Sequence, residues 1–276
     1  MIPAPFEYVR ASSAEEALAA ITEHGDDAKL LAGGMSLLPL MKLRLATPTV
    51  LVDLGRVEDL SYVRDGGDHI AIGALTRHRD LETSALLGEA CGALRGVAAE
   101  VGDNQVRHRG TLGGSVAHGD PASDLPAVLL ALDAMFVAHG PAGEREVAAA
   151  DFFEGFLETA LRPDELLTEI RVPKSGAGGW AYQKFNRRAQ DWAIVGALAV
   201  RANDTTRVAL VNMGSTPIRA AGVESAIAGG AAAPDAAAHA AEGTEAPSDL
   251  NATPEYREHL ARVLVRRALE DAAAAA

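Results

Sequence analysis

The sequence predicts an α+β protein in three parts, with helices and strands alternating early in the chain and separating late. Three observations carry that prediction. A helix, a strand, a glycine turn, a second helix and a second strand follow one another within the first fifty or so residues. A Gly66-Gly67-Asp68 turn sits between two short strand-like runs, and beyond residue 176 three strand-like runs precede two helical ones.

In order, Ser12-Ser13-Ala14-Glu15 supplies a helix N-cap with a carboxylate in the first turn, and Ala17, Leu18 and Ile21 recur at helical spacing until Gly25. Residues 28–32 form a short apolar strand that breaks at Gly33-Gly34. Residues 36–43 read as a helical turn and 49–53 as the next strand. Residues 61–64 and 69–72 read as a hairpin, and 77–84 and 85–101 as helices. The stretch 111–124, rich in Gly, Ser, His and Asp, reads as loop or broken strand, and 125–132 is an apolar run into Asp133. Residues 134–139 and 166–172 read as strands, the second ending at Pro173, and 174–179 have the composition of a linker. After it come strands at 180–186, 193–201 and 207–212, then helices at 217–231 and 254–274, with residues 272–276 expected to fray. The expected division is 1–55, 56–175 and 176–276.

Lys and Arg number 25 against 38 Asp and Glu, a net charge of −13, and no basic stripe stands out, so a nucleic-acid binder is disfavoured. Hydrophobic residues at 48% and charged residues at 23% suit a chain that buries a core. The single cysteine, Cys91, closes no intrachain disulfide and cannot alone hold zinc or an iron–sulfur cluster, which need about four ligands. Among Ala, Gly and Leu it reads as a small apolar filler. The N-terminal residues MIPAPFEYVR lack the basic start and apolar run of a signal peptide, and no stretch approaches the ~18 apolar residues of a membrane span. The expected compartment is the cytoplasm.

Two glycine pairs carry the chemistry: Leu31-Ala32-Gly33-Gly34-Met35-Ser36 and Arg109-Gly110-Thr111-Leu112-Gly113-Gly114-Ser115. Paired glycines let backbone N–H groups face an anion without Cβ interference, and a neighbouring hydroxyl adds a donor. The plain alternative is that such pairs only turn the chain. Neither loop fits the Rossmann or P-loop fingerprint, and no nucleophile elbow or His-Glu-x-x-His is present. His118, Asp120 and Asp124 admit a metal-ligand reading, but Pro121 interrupts any helix that would gather them. A loop that hydrogen-bonds ribose, pyrophosphate or a ring edge is the competing reading. Lys184 and Tyr182 offer a cation and an aromatic face to a heterocycle, or else a charged strand edge.

The segments Leu31-Ala32-Gly33-Gly34-Met35-Ser36-Leu37-Leu38-Pro39 and Val106 to Pro126, which contains Arg109-Gly110-Thr111-Leu112-Gly113-Gly114-Ser115 and His118-Gly119-Asp120-Pro121-Ala122-Ser123-Asp124, resemble the two FAD-binding motifs of the medium, flavin-carrying subunit of molybdenum hydroxylases. Carbon monoxide dehydrogenase and xanthine dehydrogenase type enzymes belong to that family. The resemblance extends through Tyr182–Asp191, Thr216–Ala220 and the closing helix. His108 stands where the family commonly has Asn.

The resemblance implies a vanillyl-alcohol-oxidase or PCMH-type FAD fold, in which 1–55 and 56–175 clasp the cofactor and 176–276 form a C-terminal α+β domain. It implies FAD contacts, non-covalent, at Ala32, Gly33, Gly34, Met35, Ser36 and Leu37, and at Thr111, Leu112, Gly113, Gly114 and Ser115. It places further contacts at Asp124, Leu167 and Lys184. No catalytic side chain and no metal ligand is expected on this chain. Molybdopterin and the [2Fe–2S] clusters are expected on a large and a small partner subunit, in a dimer of heterotrimers, with quinone, NAD or oxygen as external electron acceptor. The competing functional readings are a self-contained FAD oxidase or reductase and a cofactor-free scaffold.

Overall fold

The computed structural model describes residues 1–174, 178–202 and 205–275, and the expected linker falls partly on residues outside that set. The N-terminal segment is a small parallel α/β unit: β1 Glu7–Arg10, α1 Ala14–His24, β2 Ala28–Leu31, α2 Leu37–Leu43 and β3 Val50–Asp53. β3 lies in the middle, parallel to β1 (Glu7 opposite Val50) and to β2 (Ala28 opposite Val50). α1 begins as expected. Ser13 Oγ accepts from the Glu16 N–H at 3.2 Å, which satisfies an orphan amide of the first turn, and the Glu16 carboxylate accepts from the Ser12 N–H at 2.8 Å, just before the cap. Its buried face, Ala17, Ala20 and Ile21, packs with Val50, Val52 and Leu54.

The second segment is built on an antiparallel sheet. Its elements are β4 Val63–Asp65, β5 His69–Gly73, α3 His78–Thr83, α4 Ala85–Ala90, α5 Gly92–Ala99, α6 Asn104–Arg109, α7 Leu112–His118, α8 Asp124–Ala131, β6 Met135–Gly140, β7 Gly143–Ala148, α9 Ala149–Phe152, β8 Phe153–Gly155, β9 Glu158–Thr159 and β10 Leu166–Pro173. The sheet order is β4-β5-β10-β6-β7, and β8 and β9 form a two-stranded sheet. Helices cover it: Leu94 and Val97 of α5, Leu112 and Val116 of α7 and Val128 and Leu129 of α8 share one core with Ile70, Ile72, Phe136, Ile170 and Val172.

The third segment contains β11 Trp180–Phe185, β12 Val195–Ala202, β13 Thr205–Val211, β14 Ile218–Arg219, α10 Ala221–Ala228, α11 Ala233–Ala237 and α12 Pro254–Ala274, with the four strands antiparallel in that order. β12 is apolar on both faces because it serves two cores. Ala197 and Ala199 pack under α12 with Leu260, Ala261 and Leu264, whereas Leu198 and Val200 join the core of the second segment. The period-2 alternation is kept in space while both faces are covered.

Several expectations need correction. Residues 112–118 are helical rather than loop. Thr111 caps them, its hydroxyl accepting from the Gly114 N–H at 3.1 Å, and the glycines that suggested a loop are there for close approach. The run 85–101 is two helices broken at Cys91, and 217–231 opens with the short strand β14. Ala272 is fully buried and α12 continues to Ala274, so the end is not frayed over the described residues. β1, α6, β7, α9, β8 and β9 carry no signal strong enough to read in advance; α6, for example, is six residues held by the Asp103 cap.

Candidate functional site

β2 ends at Leu31 and delivers residues 32–36 toward a second loop held by the turn after β5. That second loop runs alongside Ala74–His78. Gly113 donates to the Ala74 carbonyl at 2.8 Å, Leu112 to Thr76 at 3.0 Å, and the His78 N–H to the Gly110 carbonyl at 3.0 Å. Arg77 and Thr111 form an isolated bridge, and the Arg77 guanidinium donates to the Arg109 carbonyl.

The glycines set the spacing between these segments. A Cβ at Gly33 would collide with the Arg109 carbonyl oxygen and lie 2.8 Å from Gly110 Cα, and one at Gly113 would lie 2.5 Å from Ala74 Cβ. Gly34 has φ +77°, a conformation that a side chain strains.

Together the two loops line a cleft of about 440 Å³ whose walls include Leu54, Leu75, Leu161, Leu166 and Leu167. Leu167 reaches it from β10 beside a bulge between Leu167 and Glu169, which re-aims the strand. The two loops differ as hydrogen-bonding surfaces. In the second, the N–H groups of Leu112, Gly113, Gly114 and Ser115 are already taken within the protein. In the first, no acceptor among the described residues meets the N–H groups of Gly33, Gly34, Met35 or Ser36. A cradle of unpaired amides next to positions that a Cβ would fill suits a phosphate-bearing ligand, and the leucine walls suit its apolar parts.

Ala32, Gly33, Gly34, Met35, Ser36, Leu37, Thr111, Gly113, Gly114, Ser115 and Leu167 line this cleft. Three other sequence-selected residues lie elsewhere. Leu112, the first residue of α7, is fully buried in the main core. Asp124 and Lys184 are not among the lining residues and face each other, 2.7 Å apart, where α8 meets β11. Tyr182 donates to the second Asp124 oxygen at 2.5 Å, and Lys184 also donates to the Glu100 carbonyl at 3.0 Å. Burial pushes the Asp124 carboxyl up, against the pull of Lys184 and Tyr182, and pushes the Tyr182 phenol far up. The network joins the second and third segments.

Residues the sequence did not reveal complete the cleft. His78 lines it, 2% exposed. Glu165 lines it as a buried carboxylate made harmless to an anion by a two-point pairing with Arg145, both contacts at 2.7 Å, which also holds its carboxyl below the ordinary range. Only the third dimension brings His78 to Ser115 or Arg145 to Glu165. His118, the nearest residue to a metal reading, is half-buried, and burial pushes its imidazole down. Among the described residues no three His, Cys, Asp or Glu side chains cluster as metal ligands, and no helix is long and apolar enough to cross a membrane.

The fold and cleft define a protein that binds a phosphate-bearing ligand with apolar parts, and comparison with known proteins narrows the class. Residues 4–175 match the family described as FAD binding domain in molybdopterin dehydrogenase, and residues 180–272 match the CO dehydrogenase flavoprotein C-terminal domain. The chain is 42% identical to the carbon monoxide dehydrogenase medium chain of Hydrogenophaga pseudoflava, covering 99% of this chain and 98% of that one. It is 39% identical to the 6-hydroxypseudooxynicotine dehydrogenase complex subunit alpha of Paenarthrobacter nicotinovorans, over 99% and 96% of the two chains. Among solved structures, a chain of the Hydrogenophaga pseudoflava carbon monoxide dehydrogenase superposes with a TM-score of 0.96 at 43% identity, covering 100% of this chain and 99% of that one. This chain therefore belongs to the family of medium, FAD-binding subunits of molybdenum hydroxylases. It is a flavoprotein oxidoreductase subunit of a multi-subunit enzyme.

Proposed function

We propose that this chain is the electron-exit subunit of a molybdenum–iron–sulfur–flavin hydroxylase. In this reading it holds FAD non-covalently, receives electrons from [2Fe–2S] clusters on a small partner subunit and passes them to quinone, NAD or oxygen. The observation that carries the proposal is the cleft lined by two glycine loops, one of which presents amides with no acceptor among the described residues. FAD, when bound, supplies a store that fills and empties by one or two electrons.

The chain's own residues do the rest. Gly33, Gly34, Met35 and Ser36 offer backbone donors to the diphosphate, with Thr111 and Ser115 opposite them. Leu167 and its leucine neighbours exclude water from the apolar parts of the ligand. Residues 1–55 and 56–175 form the clasp, and 176–276 close one side of it. Asp124 and Lys184 act by fixing that third part against the second, and a direct contact of either with FAD belongs to the same proposal. The single cysteine, Cys91, is buried in the core, so the clusters belong to a partner. The proposed assembly is a cytoplasmic dimer of heterotrimers with a large molybdopterin subunit.

The experiment mixes the flavin-loaded chain anaerobically with its reduced [2Fe–2S] partner. Bleaching near 450 nm in step with loss of the iron–sulfur paramagnetic signal is the expected result. A flavin that stays oxidised while the clusters stay reduced would contradict the proposal.

A further inference from the structure

His78 opens α3 against the second glycine loop, and its two ring nitrogens are unequally served. Nε2 lies 3.3 Å from Ser115 Oγ, whereas Nδ1 is buried and has no hydrogen-bond partner among the described residues. Burial, with the Arg77 and Arg107 guanidinium groups nearby, pushes the imidazole down to about 4, so the ring is neutral near pH 7 and carries one proton. On Nδ1 that proton would be a buried donor with no acceptor. On Nε2 it is donated to Ser115, and what stays unpaired is a lone pair, the less costly loss.

The tautomer decides how Ser115 faces the cleft. With Nε2–H donating, the Ser115 oxygen accepts and its own hydroxyl hydrogen must point elsewhere. Ser115 lines the cleft, and its hydroxyl has no other partner among the described residues. With the opposite tautomer Ser115 would donate to the ring and turn lone pairs toward the cleft, repelling an anion.

We propose that His78 is a positioning residue that fixes Ser115 as a hydrogen-bond donor to an anionic ligand group in the cleft. This rests on the reading above that the group is the diphosphate of FAD.

The competing view makes His78 a filler, because a Cβ at Gly110 would lie 2.6 Å from its ring and the packing there is tight. The experiment uses the complex containing this chain, freed of flavin, and titrates FAD and riboflavin by fluorescence. The variants are His78→Gln, whose amide donor reaches the Nε2 position, His78→Leu, Ser115→Ala and the double variant His78→Leu/Ser115→Ala.

Wild type should bind FAD more tightly than riboflavin. His78→Leu and Ser115→Ala should each weaken FAD about tenfold, and the double variant should be no weaker than either single one. His78→Gln should stay within about threefold of wild type, and riboflavin affinity should be unmoved throughout. Unchanged FAD affinity in His78→Leu, losses that multiply in the double variant, or riboflavin falling in parallel with FAD would each overturn the proposal. Wild type binding FAD no better than riboflavin would overturn the diphosphate reading beneath it.

Discussion

A methyl group at Gly33 has nowhere to go, because the Arg109 carbonyl and Gly110 Cα occupy the space. Gly113 is closed in the same way by Ala74. Gly33→Val and Gly113→Val should therefore yield complexes with less than about a tenth of the wild-type flavin absorbance near 450 nm, because overpacked backbone must shift the loops apart. His78 gives a second test at this scale. Its imidazole is pushed down to about 4 in the folded chain, against about 6.5 when unfolded, so in that window the unfolded chain binds a proton that the folded chain does not. Stability contributed by the neutral ring is complete above about pH 6.5 and falls as the pH drops, by about 2 kcal/mol at pH 5. Urea unfolding of His78→Gln should show a correspondingly flatter pH dependence between pH 7 and 5; parallel curves would contradict the assignment. The glycines were legible in the sequence because the cost of a Cβ is local. His78 was not, since its partner lies 37 residues on and only folding joins them.

Among the elements, β11 carries two of the contacts that join the second and third segments, beside those of β12 and β13. Trp180 lies against α5, where a Cβ at Gly96 would meet the indole ring with Trp180 Cζ2 at 2.7 Å, so Gly96→Ala should lower stability by about 1–3 kcal/mol in urea unfolding. Four residues further, Lys184 neutralises the buried Asp124. Lys184→Met should cost about 3–5 kcal/mol by stranding that carboxylate, whereas the double variant Asp124→Leu/Lys184→Met should cost less than Lys184→Met alone. A double variant that is worse would show that the pair is not the cause. The helices and strands with clear periodicity, α1 and β4–β5 among them, were readable. α7 was not, because Gly113, Gly114 and Ser115 have the composition of a loop, and what makes them a helix is the Thr111 cap and the packing on Ala74. α8 shows no polar face to read either, being buried along its whole length between the second and third segments.

On the scale of the whole molecule, the sheets and their helices bring two glycine loops from distant parts of the chain together at one cleft. The composition set useful bounds: the acidic balance disfavoured nucleic acid, and one cysteine left no place for an iron–sulfur cluster. Neither says what joins the third segment to the others, because β12 looks merely apolar until its two faces are seen to serve two cores. At this scale the molecule is a holder for FAD in this cleft. The most direct measurement is to precipitate the purified complex with acid and identify and quantify the released cofactor by chromatography. One FAD per copy of this chain, freed without breaking a covalent bond, is the predicted result; an intact complex that releases no FAD would contradict the account.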